Sequence, residues 1–262
     1  MIPRTIHYCW FGRNPKPLSV IKCIESWKKY CPDYEIIEWT EDTFPVEDNL
    51  YCKQAYDAKK WAFATDYARL CIIQQYGGIY LDTDVEVIRP LDPLLEHDCF
   101  VGRQPGFQVN TGAGFGACAN HPLITKMLED YSEISFIKED GEMDLWTCPH
   151  RNSQWLFENG LRHDDSYQQI AGAVIYPIEY FSPKDAYTRA LKITANTYSI
   201  HHCDGSWNQN ETKLVHRKRH LSYVIKNAVD YFIHLPNRLL RKMIGAEQYA
   251  KLKAILKGWN QK

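Results

Sequence analysis

Long hydrophobic runs are missing from this chain. No stretch approaches the ~20 consecutive apolar residues that cross a bilayer as a helix. Met1-Ile2-Pro3-Arg4 opens without the apolar core of a secretory signal, so the expected location is the cytoplasm. Paired cysteines are missing too. The nine cysteines are an odd number scattered from Cys9 to Cys203, none in C-x-x-C spacing and none beside His at zinc spacing. That excludes a disulfide framework or a zinc ribbon and fits packed free thiols in a reducing compartment. Internal repeats and low-complexity segments are absent. Net charge is almost absent as well, at −1 at pH 7.

What is there is the length and apolar content of an ordinary globular protein: 262 residues, 45% hydrophobic. That length buries a full core as one large domain, or as a domain with an appendage. The charge is unevenly spread. From Lys213 onward there are 12 Lys/Arg against 2 Asp/Glu, while the preceding 212 residues carry 19 basic and 30 acidic groups. The reading is an acidic body, 1–212, and a basic tail, 213–262. Nucleic acid is a poor partner for such a body, which would repel it.

Periodicity and turn residues order the body. β-branched and aromatic residues over 5–11 predict a first strand. Gly12 to Pro17 is a loop, and Ser19 is placed to cap a helix running to residue 30. A second strand covers 34–39, which makes a strand–helix–strand unit of the parallel α/β kind. Helices follow over 50–58 and 61–76. Strands are predicted over 79–81, 99–103, 112–118, 173–176 and 197–201, and helices over 122–131 and 153–158. Residues 141–151 show no decisive pattern, and 88–93 reads as an irregular connection.

The segment Gly77-Gly78-Ile79-Tyr80-Leu81-Asp82-Thr83-Asp84 organises the rest. The two glycines suit a left-handed helix end, and an apolar run of β-formers follows. Asp82 and Asp84 then stand one residue apart, and on an extended chain residues i and i+2 point the same way. Two carboxylates at the end of a buried strand repel unless a cation lies between them, and a divalent metal carrying a phosphate ligand is the natural candidate. A bare Asp-x-Asp is also common on surfaces and in turns. One helix earlier, Asp66 and Arg69 share a helix face at i and i+3. They read either as a solvated ion pair or as a pair that accepts sugar hydroxyls and clamps a phosphate or sugar oxygen.

Three ordered segments, Ile2 to Trp10, Ala64-Thr65-Asp66-Tyr67-Ala68-Arg69 and Gly77 to Asp84, resemble glycosyltransferase family 32, the group of capsular-polysaccharide and Och1-like mannosyltransferases with a DXD sugar-binding region. The catalytic core of the large clostridial glucosylating toxins is similar. The likeness covers about residues 1–120 and 199–207. It implies a GT-A fold, that is, a single Rossmann-like α/β/α nucleotide-sugar-binding domain. It also implies Mn²⁺ (or Mg²⁺), a nucleotide-sugar donor and retention of anomeric configuration. Carried over by position, it implies that Trp10 stacks on the donor base and that Asp66 and Arg69 hold the donor sugar. Asp82 would contact ribose or sugar, and Asp84 would bind the metal. A flat aromatic is a good base platform, worth ~1–3 kcal/mol by analogy with single-stranded nucleic acid. A metal beside two carboxylates would stabilise charge on the leaving diphosphate.

The late segment Ser199-Ile200-His201-His202-Cys203-Asp204-Gly205-Ser206-Trp207 is the second signal. The resemblance makes His201 or His202 a metal ligand or a diphosphate contact, with Ser206 and Trp207 on the diphosphate. Adjacent strand residues face opposite ways, so at most one histidine reaches the metal. Asn110 and the glycine-rich run after it are candidates to line the donor or acceptor pocket, whereas Gln154 and Trp155 read as ordinary loop and core residues.

In the tail, Leu221, Val224, Ile225, Ala228, Phe232 and Leu239 give an apolar face with Lys and Arg interspersed. This is the composition of an interfacial helix on anionic lipid, or else of a helical hairpin packed on the acidic body. The expected function is therefore a metal-dependent, retaining hexosyltransferase using a nucleotide sugar, UDP-sugar ahead of GDP-mannose. Its acceptor would be a lipid-linked saccharide of a surface glycan, at the inner face of the plasma membrane. The competing readings are a haloacid-dehalogenase-type phosphatase with Asp82 as nucleophile and an inactive membrane-surface scaffold.

Overall fold

The computed structural model describes residues 1–186, 188–203 and 248. These fall almost wholly in the first of two units, Met1–Gln209. Ser206, Trp207, the boundary expected at 213 and the basic tail lie outside the described residues.

The apolar strands form one mixed sheet. β1 (Thr5–Cys9) pairs in parallel with β2 (Glu35–Trp39) on one side and β3 (Gly78–Tyr80) on the other. β6 (Phe115–Ala117) runs antiparallel between β3 and β5 (Cys99–Gly102). β8 (Ala173–Tyr176) is parallel to β5, and β7 (Gln168–Ile170) closes the edge antiparallel to β8. The order is β2-β1-β3-β6-β5-β8-β7. The expected α/β class is thus observed, with the parallel unit β1–α1–β2 built through α1 (Leu18–Tyr30).

Both faces of the sheet are buried, which is why the strands read as near-continuous apolar runs. Alternate residues feed two cores. Cys9, Tyr80, Val101, Ala173 and Ile175 pack with residues of α2 (Leu50–Asp57), α3 (Trp61–Tyr76), α4 (Pro122–Ser132) and α5 (Cys148–Glu158). Ile6, Tyr8, Ile79, Phe100, Val174 and Tyr176 pack on the other face with Cys23 and Trp27 of α1 and with β4 (Val85–Val87). β4 forms a separate two-stranded sheet with β9 (Ser199–His201), and α6 (Ile178–Phe181) is a short helix after β8.

Three local expectations are corrected. Ser19 does not cap α1; Pro17 holds the N-cap position in extended conformation and the helix starts at Leu18, a place where a fixed proline φ suits the chain. α5 begins at Cys148 with Pro149 in its first turn, so all of 148–158 is helix rather than the short piece from 153. The strand leading to Asp82 ends at Tyr80, and Asp82-Thr83-Asp84 is a turn in which Val85 N–H donates to Asp82 C=O at 3.0 Å. The two aspartates therefore converge by turning, not by lying on an extended chain.

The glycines between α3 and the body of β3 behave as expected. Gly77 and Gly78 have φ of 67° and 101°, in the left-handed region. A Cβ on Gly78 would stand 2.9 Å from His7 Nε2. His7, buried in β1, has its Nε2 3.0 Å from Gly77 C=O and its Nδ1 accepting the Trp39 indole N–H at 3.1 Å. Burial holds this imidazole neutral, its pKa lowered to about 4.

Candidate active site

α3 is buried on much of its circumference, and Asp66 and Arg69 lie on the inward side. The solvated ion-pair reading is thereby removed, since the Arg69 side chain is 3% exposed. Its Nη2 stands 3.0 Å from Asp66 Oδ1 and 3.1 Å from Asp82 Oδ1, so one guanidinium ties the helix to the turn after β3. Nε donates to Thr65 C=O, and the guanidinium lies 5.1 Å from the centre of the Tyr80 ring. Buried charges persist only when paired and hydrogen-bonded in this way. Burial pushes the Asp66 carboxyl up to about 6 despite Arg69, and burial likewise raises Asp82, Arg69 again opposing.

The turn is packed against a backbone with no side chain in the way. A Cβ on Gly112 would stand 2.1 Å from Asp82 Oδ2 and 2.9 Å from Arg69 Nη1. Asp82 N–H donates to Gly112 C=O at 3.1 Å. Asn110, six per cent exposed, holds this loop: its Oδ1 accepts from Gly112 N–H at 2.8 Å and its Nδ2 donates to Gln104 Oε1 at 2.9 Å. Both ends of its amide are used inside the loop, so it shapes the site's wall.

Pairing of β4 with β9 sets Val85 opposite His201 and delivers the histidine to Asp84. His201 Nε2 is 3.3 Å from Asp84 Oδ1. Ligand atoms of Asp82, Asp84 and His201 all lie within 4.8 Å of one another. His202 faces the other way, its Nε2 2.9 Å from Glu86 Oε2 and its Nδ1 2.9 Å from Lys184 Nζ, and it stands outside this group. Burial alone would lower the His201 imidazole, but the Asp84 carboxylate outweighs it and raises the pKa well above the ordinary value. Two carboxylates and an imidazole suit a divalent cation such as Mn²⁺, and a cation in that place would require the neutral imidazole.

Trp10 follows β1 at the same edge of the sheet, its backbone N–H bonded to Trp39 C=O. The ring is half-buried, its indole N–H donates to Asn14 C=O at 2.7 Å, and Lys16 Nζ lies 5.8 Å from its centre. Lys16 also pairs with Glu38 at 2.6 Å. Trp10 is thus at the β1–β2 end of the edge and Asp82–Asp84 at the β3 end.

The sequence reading missed a polar row on α5. Cys148 Sγ lies 3.6 Å from Arg69 Nη1 and 3.8 Å from Thr111 Oγ1, and Asn152 Nδ2 donates to Thr111 Oγ1 at 3.1 Å. Cys148, Arg151 and Asn152 are at helical spacing and all buried. The Thr147-Cys148-Pro149 start signal would have revealed the helix.

Residues 17–101 match the family described as glycosyltransferase sugar-binding region containing DXD motif, and Asp82-Thr83-Asp84 falls inside the match. Over this region the resemblance to glycosyltransferases read from the sequence is borne out. Among curated proteins, inositol phosphoceramide mannosyltransferase 3 of Schizosaccharomyces pombe is 32% identical over 140 residues, 52% of this chain and 38% of that protein. Inositol phosphoceramide mannosyltransferase 2 of the same yeast is 27% identical over 240 residues, 86% of this chain and 64% of that protein. The chain thus spans less than two thirds of the length of either. A solved structure titled PaToxG Glycosyltransferase aligns at TM-score 0.44 and 21% identity, covering 60% of this chain and 69% of that one.

Proposed function

We propose that this protein transfers a hexose from a nucleotide sugar to a hydroxyl of a glycan or glycolipid, with a divalent cation held by Asp82, Asp84 and His201. The observation that carries the proposal is the convergence of those three side chains beside a buried arginine that already neutralises the other face of Asp82. The cation would stabilise charge developing on the leaving diphosphate. Asp66 and Arg69 would hold the donor sugar, Trp10 would carry the base, and no separate catalytic base is invoked for a retaining transfer. A phosphatase using Asp82 as nucleophile is disfavoured, because Arg69 clamps one of its carboxylate oxygens at 3.1 Å.

The donor follows less from the residues than from the relatives. The sequence favoured a UDP-sugar, whereas two matched proteins are mannosyltransferases by name, which sets GDP-mannose beside it. The acceptor in their names, an inositol phosphoceramide, supports an acceptor with a lipid anchor, here expected as a lipid-linked saccharide of a surface polysaccharide. The basic stretch 213–262 would then hold the enzyme at an anionic leaflet. No helix among the described residues is long and apolar enough to cross a membrane.

The test is a thermal-shift screen of UDP- and GDP-sugars with and without Mn²⁺, on the wild type and on Asp84→Ala. A ligand at 100 times its dissociation constant adds ~2.7 kcal/mol to stability, a readily visible rise in melting temperature. The expected result is a Mn²⁺-dependent shift with one nucleotide class, lost in Asp84→Ala. No shift with any nucleotide sugar overturns the donor site.

A further inference from the structure

An open surface groove of about 530 Å³, which includes none of the metal group's residues, is lined by Lys126, Glu129, Asp130, Trp146, Arg151 and Gln154 among others. Its size is within the range of small-ligand sites. Its centrepiece is Trp146, which is 42% exposed, an unusual position for so large an apolar ring.

The ring is held in place. Asp144 Oδ1 accepts the Trp146 backbone N–H at 3.0 Å, and Asp144 Oδ2 pairs with Arg151 Nη2 at 2.6 Å. The Arg151 guanidinium then lies 4.9 Å from the centre of the Trp146 ring, backing one face. The same guanidinium packs over Tyr51 and Tyr131 at 5.7 and 5.5 Å. Arg151 itself is 4% exposed and its Nε has no hydrogen-bond partner among the described residues. The result is a partly exposed indole packed on a buried guanidinium, in the lining of a groove rimmed by carboxylates, a lysine and an amide.

We infer that this groove is a saccharide site. A pyranose offers a flat array of C–H groups on one side and hydroxyls around its rim. Stacking of the first on an indole and hydrogen bonding of the second to carboxylate and amide oxygens is the recognition these side chains supply. Fixing the ring beforehand lowers the ordering cost of binding a weakly held, neutral ligand. The groove shares α5 with the transfer site: Cys148 in its first turn touches Arg69, and Arg151 one turn later lines the groove. An acceptor glycan longer than one sugar would occupy it with a distal unit. That last step rests on the transferase reading; the binding of saccharide does not.

The experiment is isothermal calorimetry of the full chain with maltotriose, α-linked mannotriose and chitotriose, without nucleotide or metal. At least one trisaccharide binds with one-to-one stoichiometry. Trp146→Ala weakens it by roughly tenfold or more, Gln154→Ala weakens it less, and Asp84→Ala leaves it unchanged. Trp146→Ala keeps the wild-type melting temperature and its response to nucleotide sugar with Mn²⁺, which separates loss of the site from loss of the fold. Absence of binding by all three trisaccharides, or equal binding to wild type and Trp146→Ala, overturns the inference. Saccharide binding without any nucleotide-sugar response would keep this site and overturn the transferase instead.

Discussion

The carboxylates at the edge of the sheet are neutralised in two different ways. At the α3 end, Asp66 and one oxygen of Asp82 share the Arg69 guanidinium, a cation that is almost wholly buried and cannot lose its proton. At the β9 end, Asp84 faces His201, whose positive charge is supported by that contact and would be given up if a divalent cation bound between them. The first arrangement is permanent and structural. The second is exchangeable. The contrast teaches that the Asp-x-Asp pair is not one unit: its first member is tied to a buried arginine of α3, and its second to a histidine of β9.

Breaking the permanent end has the largest expected effect. Arg69→Met leaves Asp66 and Asp82 buried without their cation, and should cost roughly 3–5 kcal/mol, read as a lowered urea midpoint. An unchanged midpoint would show that Arg69 is not what holds the turn to α3. A smaller disturbance comes from Gly112→Ala, whose new methyl would stand 2.1 Å from Asp82 Oδ2. The strain there is steric rather than conformational. It should cost about 1–3 kcal/mol and weaken Mn²⁺ binding in a direct metal titration, because Asp82 must move. Wild-type affinity in that variant would detach Asp82 from the metal group.

The smallest effect sharpens the comparison through pH. Asp66 has a folded pKa near 6 against an ordinary value of 3.8, so in the metal-free protein its contribution is fully present below 3.8 and is lost as pH rises toward about 6. His7 works in the opposite sense: lowered from 6.5 to about 4, it contributes stability that is lost as pH falls through that window. In the wild type the two slopes oppose each other. Asp66→Asn should therefore have a urea midpoint at pH 7 no lower than the wild type, and a steeper gain in stability from pH 4 to 7. A parallel pH profile for the two proteins would show that Asp66 is not held near 6.

Much of the scaffold was legible because burial on both faces leaves apolar runs in the strands, and because α3 and the Gly77-Gly78 pair carry plain local signals. Legibility failed where tertiary packing decides the outcome. Val85–Val87 is too short to announce a strand, yet its pairing with Ser199–His201 is what carries His201 to Asp84. The i, i+3 spacing of Asp66 and Arg69 is the same for a surface pair and a buried one, and only the packing of α3 tells them apart. Residues 141–151 hid the start of α5 because the face it buries includes Cys148, Arg151 and Asn152, which a search for apolar periodicity passes over. The choice between His201 and His202 needed the register of β9, which the sequence alone does not contain.

His7 has a consequence for folding as well as for charge. Its two ring nitrogens read two neighbours at once, the indole of β2 and the carbonyl of the glycine turn that launches β3. Side chains alternate faces along a strand, so slipping β1 by one residue would throw this ring to the opposite side and break both contacts together. Parallel strands are joined by long connections, so their pairing is slow and entropically costly. A single imidazole in the middle strand thus ties the alignment of all three, and a slipped register would forfeit both of its hydrogen bonds at once.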